Sequence, residues 1–254
     1  MTTQNPNGVL ITTIENKIAT LEFGHPASNS FPSDLLNRLT NELNNLSKNP
    51  DISVIVLKSS GSGAFCAGAS FDELLAVSNL DEATKFFSGF ANVLNAMRSC
   101  SKIIIGRIHG KAVGGGVGIA AACDYAFATN ESSVKLSELA IGIGPFVIEP
   151  AVSRKIGNSA MTEMTLEAEW KTAAWANQKG LYAKVFESTS ELDLAITAFA
   201  NKLATYNPAA LFEMKKVLWE GTENWDTLLY ERAKISGNLV LSDFSREALN
   251  QFKK

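Results

Sequence analysis

The chain has 254 residues, 46% of them hydrophobic and 19% charged, with a net charge of −3 and a pI of about 5.6. That composition builds one large globular core, or one core with a small appendage. It excludes a basic nucleic-acid surface and a polybasic membrane anchor, and no apolar run approaches the length of a membrane span.

Three cysteines, Cys66, Cys100 and Cys123, form no CxxC pair. Their sparse use fits a reducing compartment and argues against a disulfide framework or a zinc site. The opening MTTQNPNG has neither a basic stretch nor an apolar run of the kind a signal peptide needs. The expectation is a soluble, cytoplasmic protein.

In chain order, VLITTI (9–14) and KIATLEF (17–23) flank Glu15-Asn16 and are rich in β-branched residues, which predicts a β-hairpin. Pro32 opens a segment in which Leu35, Leu36, Leu39, Leu43 and Leu46 recur at helical spacing. Asn49-Pro50-Asp51 stops it, and ISVIVLKSS (52–60) follows as a continuous apolar run, the mark of a buried strand. GSGAFCAGASFDEL (61–74) reads as a glycine-rich loop leading into a helix. Ala83, Phe86, Phe87, Phe90, Leu94 and Met97 share one face of the next helix. KIIIGRIHG (102–110) is a second buried strand, and Asp124 to Thr129 a third. From about 157 onward the pattern is mostly helical. Strands alternating with helices, then helices alone, predict an α/β core with a helical C-terminal part.

The densest glycine stretch is AVGGGVGIAAACDYA (112–126). It lacks the Gly-Lys-Ser/Thr ending of a phosphate loop, and Gly114 to Gly118 gives GxGxG rather than the dinucleotide fingerprint. A plain reading is a tight strand-to-helix turn. A chemical reading is an oxyanion site. The first N–H groups of a helix are unpaired and lie at its positive end, and glycines let a ligand oxygen reach them. A second donor would come from the other bare loop, AFCAGAS (64–70).

These two segments, SGSGAFCAGASFDEL and IIIGRIHGKAVGGGVGIAAACDYAFA, resemble the paired signatures of the crotonase (enoyl-CoA hydratase/isomerase) superfamily, and the resemblance runs from the opening hairpin to SREALNQFKK. It implies a crotonase-type ββα spiral, two stacked sheets with flanking helices. Residues 1–190 would form the acyl-CoA-binding core and 191–254 a C-terminal helical trimerisation region, the chain assembling as a homotrimer or homohexamer. It implies an acyl-CoA thioester substrate and an enolate intermediate, with no cofactor beyond the coenzyme A of the substrate, no metal, no nucleic acid and no membrane partner. The oxyanion donors fall on the N–H groups of Ala69 and Gly115. Ala67, Gly68, Ala69, Ser70, Phe71, Asp72, Gly114 and Gly115 would line the substrate channel.

Known hydratases of the family use two glutamates. The position of the first, three residues after the middle glycine, is Gly118 here. The second matches Glu138 in LSELAIG, between apolar stretches that would raise its pKa and suit it to proton transfer. The following GPFVIEPAVSRKIG, with Pro145 and Pro150, is similar to bacterial methylglutaconyl-CoA and isohexenylglutaconyl-CoA hydratases. The resemblance therefore implies an enoyl-CoA hydratase for a branched or glutaconyl-type ester. The alternatives are a Δ3,Δ2-enoyl-CoA isomerase working with Glu138 alone, and a non-catalytic acyl-CoA-binding protein. Glu149 is a candidate second carboxylate.

The remaining singular residues have plain readings. Cys66 and Cys123 read as small core residues. Asp124 reads as a structural turn residue, and His109 as a satisfied structural histidine. Phe86, Phe87 and Phe90 read as helix packing that also roofs an acyl pocket. Ser70 and Asp72 depart from the family's usual residues, and Lys253 and Lys254 are placed to reach a CoA phosphate.

Overall fold

A computed structural model describes residues 7–251. The opening hairpin pairs β1 (Val9–Glu15) with β2 (Ile18–Gly24) in antiparallel register, Val9 opposite Gly24 and Glu15 opposite Ile18. Asn16 and Lys17 turn it with φ of 51° and 64°, the left-handed pair that matches strand twist. Helix α1 (Ser33–Lys48) buries Leu35, Leu36, Leu39, Leu43 and Leu46, the five leucines expected from the spacing. Strand β3 (Val54–Ser59) follows, then α2 (Phe71–Ala76), α3 (Leu80–Ser99) and β4 (Ile103–Ile108). The short β5 (Ala112–Val113) leads into α4 (Gly115–Ala122) and β6 (Tyr125–Thr129).

Past β6 come β7 (Ser133–Lys135), a 3-10 turn (Glu138–Ile141), α5 (Glu149–Glu167), β8 (Lys171–Thr172), α6 (Ala173–Gln178) and β9 (Lys184–Phe186). Four helices close the chain: α7 (Thr189–Ala204), α8 (Pro208–Leu218), α9 (Trp225–Val240) and α10 (Asp243–Gln251). The expectation of helices alone after about 157 is corrected by β8 and β9. Both are too short and too charged (KT and KVF) to show a strand period. Helix α5 also begins earlier than that point and bends at Gly157, whose φ is 75°.

The large sheet runs β1-β2-β3-β4-β6-β9 and is parallel from β2 onward. Parallel neighbours need crossovers, and α1, α3 and α4 supply the first three. One face of this sheet packs on α7, where Val54, Val56, Ile105 and Phe127 meet Leu192, Ile196 and Ala200. The other face closes the main core with α1, α3 and α4. The small sheet, β5-β7-β8, puts Ala112 and Val134 into that same core, so two sheets enclose one apolar interior, the α/β architecture expected.

Asp124 is structural, as read, and more deeply tied in than a turn residue. Its carboxylate accepts from the Ile104 N–H at 2.8 Å and the Trp219 indole N–H at 2.7 Å, and pairs with Lys215 at 2.9 Å. Both charged side chains are buried, 6% and 2% exposed, and the Lys215 ammonium also donates to the Lys102 carbonyl. This pair fastens α8 to the edge of β4.

Candidate active site

The two bare loops lie side by side because short β-bridges hold them. Cys66 N–H donates to the Lys111 carbonyl at 3.1 Å, and Val113 N–H to the Cys66 carbonyl at 2.9 Å. On its other side the first loop is stitched to residues 28–31: Ala67 N–H to Ser28 O, Phe31 N–H to Gly68 O and Ser70 N–H to Phe31 O, at 3.1, 2.8 and 2.9 Å. Ser70 then caps α2, and Glu73 in the first turn of α2 reaches back to accept from the Ser33 N–H and hydroxyl at the start of α1. The loop is thus held at both ends and along its length.

This network leaves two donors over. Among the described residues, neither the Ala69 N–H nor the Gly115 N–H finds an acceptor. Gly115 is the first residue of α4, where unpaired N–H groups and the positive end of the helix dipole coincide. The loops are close: a Cβ on Gly68 would lie 3.7 Å from the Gly115 nitrogen.

Glu138 meets them through the small sheet. Strand β5 is followed by Gly114, whose N–H donates to the Lys135 carbonyl at 2.9 Å, and β7 runs out of Lys135 into the turn that begins at Glu138. Two positions 24 residues apart in sequence (138 − 114) therefore touch. Gly114 has φ 51° and ψ −118°, a conformation that only glycine holds readily. A Cβ there would stand 2.9 Å from Glu138 Oε1.

The Glu138 residue is half-buried, but its Oε2 is sealed from water and has no hydrogen-bond partner among the described residues. Burial pushes its pKa from 4.5 up to about 7, offset in part by the backbone N–H groups of Glu138 and Ser137. A carboxyl group tuned near neutrality can both take and give a proton.

The carboxylate and the two donors open on one cavity of about 160 Å³. Of the residues expected to line it, Ala67, Gly68, Ala69, Phe71, Gly114 and Gly115 do, and so do Phe86, Phe87 and Phe90. Ser70 and Asp72 stand outside it: Ser70 caps α2, and Asp72 is exposed in its first turn. Sequence reading missed Phe146, Val147 and Ile148 on the far wall and Ser236 of α9. The unusual Pro145–Pro150 segment was the only signal of that wall. Ile148 has a further consequence. A Cβ on Gly118 would fall 2.5 Å from Ile148 Cγ2, so apolar atoms fill the space that a side chain at 118 would need.

Glu149 neighbours this wall without lining the cavity. Its carboxylate accepts from the Ser153 hydroxyl and pairs with Arg232, whose guanidinium also donates to the Phe146 carbonyl at 3.4 Å. Cys66 and Cys123 are core residues whose thiols burial pushes up to about 12. His109 departs from the expectation of a satisfied histidine. Its Nδ1 lies 3.0 Å from an Arg107 nitrogen, but its buried Nε2 has no partner among the described residues, and burial lowers its pKa. It does not line the cavity. Lys253 and Lys254 lie outside the described residues.

The profile of the family described as Enoyl-CoA hydratase/isomerase matches residues 13–253. A 2,3-dehydroadipyl-CoA hydratase from Escherichia coli is 30% identical over 216 residues, covering 84% of this chain and 83% of its own. A peroxisomal Delta(3,5)-Delta(2,4)-dienoyl-CoA isomerase from Arabidopsis thaliana is 29% identical over 210 residues, covering 77% and 74%. The crystal structure of an enoyl-CoA hydratase from Mycobacterium avium superposes with a TM-score of 0.86 at 27% identity, over 96% of this chain and 95% of that one.

Proposed function

The chain belongs to the enoyl-CoA hydratase/isomerase family, and on that premise we propose that it hydrates the 2,3 double bond of an enoyl-CoA thioester. The observation that carries this reading is the Glu138 carboxyl, its Oε2 sealed from water without a partner among the described residues and its pKa raised to about 7, sharing one cavity with the Ala69 and Gly115 N–H groups. In the proposed reaction the thioester oxygen accepts from both N–H groups. The Glu138 carboxylate takes a proton from water as the water oxygen bonds to C3. The C2–C3 π electrons shift to give an enolate whose charge rests on the thioester oxygen. The Glu138 carboxylic acid then protonates C2, which restores the carboxylate and completes the addition of one water. Donors of this kind are each worth about 10²–10³ in rate. An enolate held by backbone donors calls for no metal or nicotinamide.

The cavity walls favour an apolar acyl group. Among the described lining residues Glu138 is the only charge, and no cation stands there to receive the distal carboxylate of a glutaconyl-type ester. Arg232, which donates to the Phe146 carbonyl on that side, is engaged by Glu149. Assembly as a homotrimer or homohexamer through the C-terminal helices and a cytoplasmic setting belong to the same proposal.

A second reading is favoured by Ile148. With apolar atoms where a second carboxylate would stand, one carboxylate is left, and one suffices for an isomerase that moves a proton between C2 and C4. Chromatographic separation of the double-bond isomers, with mass spectrometry of each peak, after incubation with 2-enoyl-, 3-enoyl- and 3-methylglutaconyl-CoA separates the readings. A gain of one water on a 2-enoyl ester supports the hydratase. A double-bond shift at constant mass makes it an isomerase, and no turnover with binding intact would refute both.

A further inference from the structure

We propose that Ser236 is a specificity-determining residue whose hydroxyl hydrogen-bonds one uncharged oxygen, a hydroxyl or a ketone, on the acyl group of the substrate. This rests on the acyl-CoA reading above and narrows the class of ester. Helix α9 buries Leu229, Ala233, Ser236 and Val240 at the spacing of an inward stripe, and Ser236 is the one polar side chain of these four. The residue is 1% exposed and lines the cavity that holds Glu138. Serines on helices often return their hydroxyl to the carbonyl one turn back. Ser88 and Ser99 of α3 do so, to Thr84 and Asn95, at 2.6 and 2.8 Å. The Ser236 hydroxyl has no hydrogen-bond partner among the described residues.

Its neighbours fix where it stands. One turn earlier, Arg232 pairs with Glu149 and donates to the Phe146 carbonyl at 3.4 Å, which ties α9 to the far wall of the cavity. One turn later, Val240 shares an apolar cluster with Leu74, Phe86 and Ile143, all three of which line the cavity. Gly237 lets α9 close on α3: a Cβ there would lie 3.2 Å from the Ala83 Cβ and the Thr84 nitrogen. Apart from Ser137 and Glu138 at the reaction end, Ser236 is the only polar side chain among the described lining residues. It is a hydroxyl on an apolar wall, and holding it from water without a partner costs the desolvation of the group. A ligand oxygen placed against it removes that cost, and a ligand with only C–H there does not. A site of this kind discriminates against the analogue that lacks the oxygen. A serine hydroxyl both donates and accepts, so a hydroxyl and a ketone both fit. A carboxylate does not, since no cation stands among the described lining residues.

The test compares kcat/KM of wild type and Ser236→Ala on the plain six-carbon 2-enoyl-CoA and on the forms that carry a hydroxyl at each carbon beyond C3, or a ketone at the interior ones. Urea unfolding of both proteins is followed in parallel. The expected result is that wild type favours at least one oxygen-bearing ester over the plain one by about ten-fold. Ser236→Ala brings that pair to parity with the plain ester unaffected, and its urea midpoint does not fall, because no bond within the fold is lost. A wild type that favours no oxygen-bearing ester would overturn the proposal and leave the acyl-CoA reading standing. So would a preference that survives in Ser236→Ala, which places the recognising group elsewhere. Equal losses on every ester, or a lowered urea midpoint, would also overturn it, because they report a hydroxyl that serves the fold. If wild type turned over none of these esters, the hydratase reading would fail and take the proposal with it.

Discussion

Replacing Glu138 with Gln keeps the shape of the side chain and removes its titration, so the pair of proteins isolates what ionising this one carboxyl costs. The folded pKa is about 7 against an ordinary 4.5, a rise of about 2.5 units (7 − 4.5). At 1.36 kcal/mol per unit this is about 3 kcal/mol. The sign follows from the direction of the shift. The folded state holds the proton more tightly than the unfolded chain does. Its stability contribution is therefore complete below about pH 4.5 and is lost as pH rises through about 7. Urea unfolding of wild type and Glu138→Gln, followed by circular dichroism from pH 5 to pH 8.5, reads this directly, because all other titrations cancel in the difference. The variant gains on wild type as pH rises, by about 3 kcal/mol at the alkaline end. A difference that stays flat across the range would mean that the carboxyl is solvated or paired in the folded protein, and the argument for a tuned acid–base would fall.

Other outcomes follow from the same structure. Asp124→Ala leaves the Lys215 ammonium buried and unpaired and costs about 3–5 kcal/mol in urea unfolding; a loss below 1 kcal/mol would show that the pair is solvated. Gly118→Glu drives its Cβ into Ile148 and costs about 1–3 kcal/mol, and Gly118→Glu combined with Ile148→Ala recovers most of that. Wild-type stability in the single variant would contradict the geometry at 118. The thiols of Cys66 and Cys123, pushed up to about 12 by burial, stay unreactive to a thiol reagent at pH 8 in the folded protein and react after denaturation; rapid native labelling of either would count against their burial.

The elements with strong periods were legible in the sequence. The leucine spacing of α1, the apolar runs of β3 and β4 and the aromatic face of α3 each stand where the pattern puts them. The short strands β5, β7, β8 and β9 were not, since two or three residues cannot display a period and their pairing is decided by distant chain. That gap matters, because β5 and β7 are what bring Glu138 to Gly114. The resemblance picked out Glu138, Ala69 and Gly115, and the structure brings these three to one cavity. It could not show the opposite wall. Ile148 and Phe146 read as ordinary apolar residues until α5 is folded against α4, and only then is the space beside Gly118 seen to be full. The surroundings of His109 and Glu149 were hidden for the same reason: they come from α7 and α9, far along the chain. Arg107, which contacts His109, pairs with Asp193 of α7, and Arg232 of α9 pairs with Glu149.

In the proposed reaction one carboxyl group, Glu138, carries the proton for chemistry at an oxygen held by Ala69 and Gly115. Single-turnover rates of wild type and Glu138→Gln on the best ester of the panel, with the Kd for that ester measured in parallel, test it most directly. The expected result is a rate loss of at least about 10²-fold with the Kd little changed. A variant that turned over at nearly the wild-type rate would contradict it, and the reacting proton would have to be sought on another group.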